Sequence, residues 1–288
     1  MRQLKNTTGE TAGLEACKEM KTRVITGGVL VAVLLLVLYV FPSWVLAWVV
    51  SLMLAVGVYE LLFRTGLVKN MRMVAYAMAS AFAIPLLNYY PVAHGWTVLA
   101  SLVFVAANFG EMMRDHIRVR FENVCICLFA GLIIPNALSA FVRIFTGRFG
   151  IYMAAVPCVL AFIPDSGAYF AGRFFGKRKL APVISPKKTV EGAVGGTLTA
   201  MLSMIIYGLV LQLAWHFKVN YLYALMYGLV GSLGAVFGDL CFSVIKRQTG
   251  IKDYGSLFPG HGGILDRFDS MMVVAPLTEV LLSLIPLV

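Results

Sequence analysis

Apolar residues in this chain come in uninterrupted runs of roughly 20, and no other feature limits its possible folds so tightly. A bilayer core of about 30 Å takes roughly 20 residues of helix to cross. Backbone polar groups at that depth are satisfied only in helices or closed barrels. The runs lack period-2 alternation, so helices are expected. Charge agrees, since Asp, Glu, Lys and Arg make up 13% of the 288 residues, against about 25% in soluble domains. Mean hydropathy is +0.84. The sequence therefore predicts an all-α, polytopic integral membrane protein with about nine transmembrane helices. They cover 24–41, 44–63, 73–90, 95–110, 123–142, 151–172, 193–215, 221–245 and 270–288. The first run has no small-residue cleavage site and turns at Phe41-Pro42-Ser43-Trp44 straight into another span. It reads as a retained helix rather than a signal peptide.

Of the 24 lysines and arginines, 21 fall in alternate segments between these spans and 3 in the others. The positive-inside rule places the richer set in the cytoplasm, with the N-terminus inside and the C-terminus outside. The net charge of +10 then faces the anionic inner leaflet, where each basic residue contributes about 1 kcal/mol of attraction. Membrane lipids are thus expected partners. Nucleic acid is not, because the basic residues sit in short loops between spans. The five cysteines are odd in number and mostly within spans, which excludes a disulfide framework. The four histidines are scattered and give no zinc-site spacing.

Three regions follow: a polar segment over 1–22, an N-terminal transmembrane bundle over 23–160, and a C-terminal catalytic region over 161–288. In the bundle, Glu60 reads as reaching the interface or pairing with Arg64 at i+4. After residue 160, reactive groups gather in two blocks. In the first, Asp165 lies about two turns inside the membrane boundary, where a charge costs about 2.5–3.5 kcal/mol on insertion scales and faces a wet cavity or a partner. Ser185-Pro186 has the form of a helix start. Lys187, Lys188 and Thr189 would then surround a helix N-terminus that favours anions. A bare positive-inside loop accounts for the lysines but not for the carboxylates Asp165 and Glu191. Gly192, Gly196 and Ala200 form a small-residue stripe suited to close helix packing.

In the second block, Asp239 lies about 10 Å inside the eighth span, with Ser243 at i+4 and Lys246 at i+7 on its face. Arg247, Lys252, Asp253, the glycine turn His261-Gly262-Gly263, then Asp266, Arg267 and Asp269 follow before the ninth span. Carboxylates from separate helix ends, with basic residues and glycine turns between them, suit Mg²⁺ and a phosphorylated substrate. The basic groups would neutralise a transferring phosphoryl group. Composition and spacing alone lead to phosphoryl or nucleotidyl transfer at a membrane surface.

The second block resembles the signature of the phosphatidate cytidylyltransferase (CDP-diacylglycerol synthase) family. The matching positions are Ser243, Lys246, Arg247, Lys252, Asp253, Gly255, Phe258, Pro259, His261, Gly262, Gly263, Asp266, Arg267 and Asp269. Asp165, Ala168-Tyr169, Gly172-Arg173, Gly176-Lys177 and Ser185-Pro186-Lys187-Lys188-Thr189 resemble the same family, with Val190 where bacterial members commonly have tryptophan. The resemblance implies transfer of the cytidylyl group of CTP to phosphatidate, giving CDP-diacylglycerol and pyrophosphate for phospholipid synthesis. It also implies a homodimer in a bacterial inner membrane or a eukaryotic organelle membrane; of these the bacterial inner membrane is expected, with the loop charges turning the site to the cytoplasm. A metal centre of Mg²⁺ with a K⁺-like second ion would be held by Asp239 and Asp266. Catalytic roles would fall to those two with Lys246, Arg247, Lys252, Asp253, His261 and Arg267. Substrate would be bound by Asp165, Lys187, Lys188, Thr189, Ser243, Gly262, Gly263 and Asp269. Two rivals use the same features: a CTP-dependent polyprenol or phytol kinase, which needs a base for its alcohol acceptor, and a transporter with buried carboxylates.

Overall fold

The computed structural model describes residues 25–148, 150–258 and 262–288. The polar segment 1–22 and the site candidate His261 lie outside the described residues. Helix α1 (Ile25–Tyr39) turns at Pro42 into α2 (Ser43–Tyr59), which runs on as a π-helical turn over Glu60–Arg64. Next come α3 (Met71–Tyr89) and α4 (His94–Arg114). A continuous helix follows, made of α5 (Phe121–Leu128), a π turn at Phe129–Ile133 and α6 (Ile134–Thr146). Helix α7 (Gly150–Phe175) leads into a hairpin of β1 (Lys179–Ala181) and β2 (Ser185–Thr189). Helices α8 (Val190–Trp215) and α9 (Tyr221–Gln248) come next, then short α10 (Leu265–Phe268) and α11 (Met271–Leu284).

Each of the nine expected spans coincides with a helical stretch, and seven of these are long and apolar enough to cross a bilayer. The first and last are shorter among the described residues. Helix α11 has 14 residues, about 21 Å at 1.5 Å per residue, where a single span to residue 288 was expected. Proline explains the shortfall. Ile285 precedes Pro286 and is pushed out of the helical region, to φ −136 and ψ 73. The tail stays pinned, because the Asn220 amide donates to Leu287 O at 3.1 Å and the Tyr227 hydroxyl to Ile285 O at 3.2 Å.

Side-chain size is sorted opposite to a soluble helix. On α8, Val194, Leu198, Leu202, Ile206 and Leu209 are exposed, while Gly192, Gly196, Ala200 and Gly208 are buried. Large apolar groups facing outward suit lipid, and small ones facing inward let backbones approach. A methyl group at Gly192 would lie 2.9 Å from Ala168 O, and at Gly196 2.9 Å from Pro164 O. The expected stripe therefore holds α8 directly against α7.

The hairpin corrects one expectation. Ser185-Pro186 does not start a helix but opens β2, which pairs antiparallel with β1 through Lys179↔Thr189 and Ala181↔Ser185. Proline tolerates an edge strand as readily as a first helical turn. The hairpin is closed at its base by Glu191, whose carboxylate accepts the amides of Lys177 at 3.0 Å and Arg178 at 3.2 Å. The actual N-cap of α8 is Thr189, whose Oγ1 accepts the Gly192 amide at 3.1 Å. Thr189→Ala is expected to cost about 1 kcal/mol, read as a lowered thermal midpoint of the detergent-solubilised protein. An unchanged midpoint would deny the cap.

Candidate active site

Helices α7, α8 and α9 and strand β2 enclose a cavity of about 370 Å³. Asp165 and Tyr169 reach it from α7, Lys187 and Lys188 from β2, and Asp239 from α9. Its other walls are mostly small or apolar, including Ala193, Gly196, Ala235 and Val236. Residues placed some 70 positions apart thus share one chamber, in which charged and small apolar groups meet. Lys188 Nζ forms an ion pair with Asp239 Oδ2, and the Ser243 hydroxyl donates to Asp239 Oδ1 at 3.1 Å. Ser243 sits where the i+4 spacing puts it. Lys246, expected on the same face, turns elsewhere.

Lys246 Nζ instead donates to Asp266 Oδ1 at 3.0 Å, with both side chains nearly buried. The other oxygen of Asp266, Oδ2, accepts the amides of Tyr254 at 2.8 Å and Gly263 at 3.0 Å. Tyr254 is buried, donates its hydroxyl to Phe242 O, and lies with its ring 5.4 Å beneath the Lys246 ammonium. Gly262 takes φ +82, and a methyl group there would stand 2.9 Å from Asp266 Oδ2. Gly262 is therefore required by how tightly the chain wraps the Asp266 carboxylate, while a methyl group at Gly263 would meet the Glu60 carboxylate instead, 2.4 Å from Oε2. Gly238 plays the matching part on α9, where a methyl group would lie 2.8 Å from Asp269 O. That contact sets the residue next to Asp239 against the turn carrying Asp266 and Asp269. Burial first, and then the neighbouring Asp239 carboxylate, push the Asp269 carboxyl up to about 7.

Several expected site residues stand apart. Arg247 donates Nε to Ile184 O at 3.1 Å and so braces the hairpin loop from α9. Lys252 and Asp253 are exposed on the following loop and do not line the cavity. Arg267 is exposed too, within electrostatic reach of Asp165. Glu60 corrects the reading of the N-terminal half. It is 2% exposed, and its Oε2 accepts the Leu265 amide at 3.1 Å, immediately before Asp266. Nothing at i±3 or i±4 could signal a contact made 205 positions away. Arg143 and Glu279, paired at 2.6 Å between α6 and α11, likewise carried no sequence signal.

The carboxylates have the chemistry a divalent ion needs. Each carboxylate oxygen offers about two acceptor positions, and Asp239 uses one on each oxygen. Asp266 uses one on Oδ1 and both on Oδ2. Open positions therefore remain on both residues, on hard oxygen donors of the kind Mg²⁺ prefers. Among the described residues, no group of three or more His, Cys, Asp or Glu is placed to hold a metal by itself.

Helices that carry apolar groups outward, and a chamber lined by carboxylates and ammonium groups, define an integral membrane enzyme handling phosphorylated substrates. The sequence model of the cytidylyltransferase family matches residues 21–285, and the chain belongs to that family. Its relatives include the phosphatidate cytidylyltransferase of Bacillus subtilis strain 168, 34% identical over 272 residues, covering 92% of this chain and 98% of the relative. The protein of that name from Staphylococcus epidermidis is 30% identical over 269 residues, covering 91% and 99%. Staphylococcus aureus strain COL has another, 35% identical over 184 residues, covering 64% and 68%.

Proposed function

We infer that this chain transfers the cytidylyl group of CTP to phosphatidate, forming CDP-diacylglycerol and pyrophosphate. The observation that carries the reading is the mixed lining of this chamber, charged groups beside small apolar ones. Its Lys187, Lys188, Asp165 and Asp239 suit phosphates, and its small apolar lining would suit the lipid part of a diacyl substrate. A phosphatidate oxygen attacks the α-phosphorus of CTP, the new P–O bond forms, and the bond to the bridging oxygen of pyrophosphate breaks. The attacking monoester is largely dianionic near neutrality, so no strong general base is required. Positioning and charge neutralisation carry the rate. Lys188, which lines the chamber, and Lys246, paired with Asp266, would neutralise phosphate charge, and the Ser243 hydrogen bond would orient Asp239. Asp239 and Asp266 would hold Mg²⁺, with a K⁺-like second ion. The ion would supply positive charge to offset what develops on the leaving group.

The enzyme is proposed to work as a homodimer in the bacterial inner membrane with the chamber facing the cytoplasm. The charge asymmetry of the loops supports that orientation. Single cysteines in the 177–188 loop are then expected to be shielded from an impermeant reagent in intact cells, and one appended at the C-terminus to be labelled. Labelling of both from the same side would overturn the orientation. The activity itself is tested by supplying purified protein with CTP, phosphatidate and Mg²⁺ and separating the lipids. CDP-diacylglycerol is the expected product.

A further inference from the structure

Glu60 is a buried carboxylate in the last turn of the second span, and an ionisable residue within a span marks a functional position by default. The chemistry proposed above makes no direct use of it. It opens the π-helical turn that ends the second span, the kind of irregularity that concentrates at functional sites. Its surroundings are specific. Oε2 accepts the Leu265 amide at 3.1 Å, and the Ile264 amide also faces the carboxylate. A methyl group at Gly255 would fall 1.9 Å from Oε1, and one at Gly263 2.4 Å from Oε2. Both ends of the loop from Gly255 to Gly263 are therefore wrapped around this one side chain. Arg64, a turn further on, donates Nη2 to Ser256 Oγ at 3.5 Å and takes hold of the same loop.

The gripped atoms adjoin Asp266 on two sides. Leu265 precedes it in the chain, and the Gly263 amide is one of the donors to its Oδ2. We propose that Glu60 is a positioning residue for the transfer reaction, clamping the glycine loop to the second span so that the Asp266 carboxylate is set at the metal and substrate site. The proposal rests on the reading of this chain as a cytidylyltransferase. It makes the N-terminal bundle a working part of the site, through contacts that include one spanning 205 positions of sequence. Outer partners of this kind typically change metal affinity by about 10- to 100-fold when removed.

The test uses the full chain in detergent or nanodiscs with Glu60→Ala, Glu60→Gln and Gly263→Ala. Hydrogen exchange over residues 262–266 reads the clamp without activity, and Mg²⁺ titration of CDP-diacylglycerol formation reads its consequence. Glu60→Ala is expected to speed exchange at Leu265 at least about 10-fold and to raise the Mg²⁺ needed for half-maximal rate about 10-fold. Glu60→Gln keeps one acceptor oxygen and should fall between. Gly263→Ala crowds the carboxylate and should resemble Glu60→Ala, and it carries the test alongside Glu60→Gln if Glu60→Ala does not fold. Wild-type exchange and Mg²⁺ dependence in folded Glu60→Ala would overturn the proposal. Absence of product from wild type would instead defeat the activity reading, while exchange at Leu265 would still decide whether Glu60 holds the loop.

Discussion

Asp239→Asn and Asp266→Asn are each expected to lower CDP-diacylglycerol formation by roughly 10²- to 10³-fold in folded protein, the usual effect of removing one electrostatic stabiliser of a transferring group. The structure makes the two substitutions unequal in other respects. Asp239 is partly open and pairs with Lys188, so its loss should leave expression and melting close to wild type. Asp266 is buried, pairs with Lys246 and collects two backbone amides. Breaking a buried pair commonly costs about 3–5 kcal/mol, and Asn keeps only one of the acceptor oxygens. Asp266→Asn should therefore melt earlier as well as turn over more slowly, and its rate must be taken on the folded fraction. The double variant should be little slower than either single one, because groups acting as one unit are not additive. Raising Mg²⁺ should recover part of each single variant's activity. Folded Asp266→Asn with near wild-type rates at low Mg²⁺ would remove that residue from the metal site.

Lys188 and Lys187 should separate sharply, although the sequence presents them as a pair. Lys188 is largely covered and bonded to Asp239, whereas Lys187 is exposed at the wall of the same cavity. Charge acts more strongly where water is excluded. Lys188→Ala is expected to reduce kcat/KM by roughly 10²-fold, and Lys187→Ala by under about 10-fold, chiefly through KM for CTP or phosphatidate. Lys188→Arg keeps the positive charge and should restore much of the loss, which separates charge from packing. Melting should stay near wild type in all three. Equal, small effects for both lysines would reduce the hairpin to a topology signal.

The helices were legible because the bilayer enforces a simple rule. Every run of roughly 20 apolar residues must satisfy its own backbone, and the boundaries of α2, α3, α7, α8 and α9 lie close to those expected. Contacts at fixed helical spacing were legible too, as Ser243 on Asp239 shows. What stayed hidden were choices made between distant segments. Ser185-Pro186 fits a helix start or an edge strand, and the strand is fixed by partners in another segment, β1 and the amides of 177 and 178 held by Glu191. Lys246 lies on the Asp239 face by periodicity, yet its long side chain reaches Asp266, leaving Lys188 from another loop to partner Asp239. Glu60 was read against Arg64 because that neighbour is visible in sequence, while the Leu265 amide is not. The early end of α11 was there to be read, in Ile285 preceding Pro286, but a continuous apolar tail outweighed it.

The central claim concerns which phosphorus of CTP is attacked, and parallel reactions with CTP labelled at the α- or the γ-phosphate test it most directly. Purified protein, phosphatidate and Mg²⁺ should pass the α-label into a lipid that runs as CDP-diacylglycerol, with the γ-label leaving as pyrophosphate. Label from the γ-phosphate in lipid, with none from the α-phosphate, would mean a kinase and contradict the account.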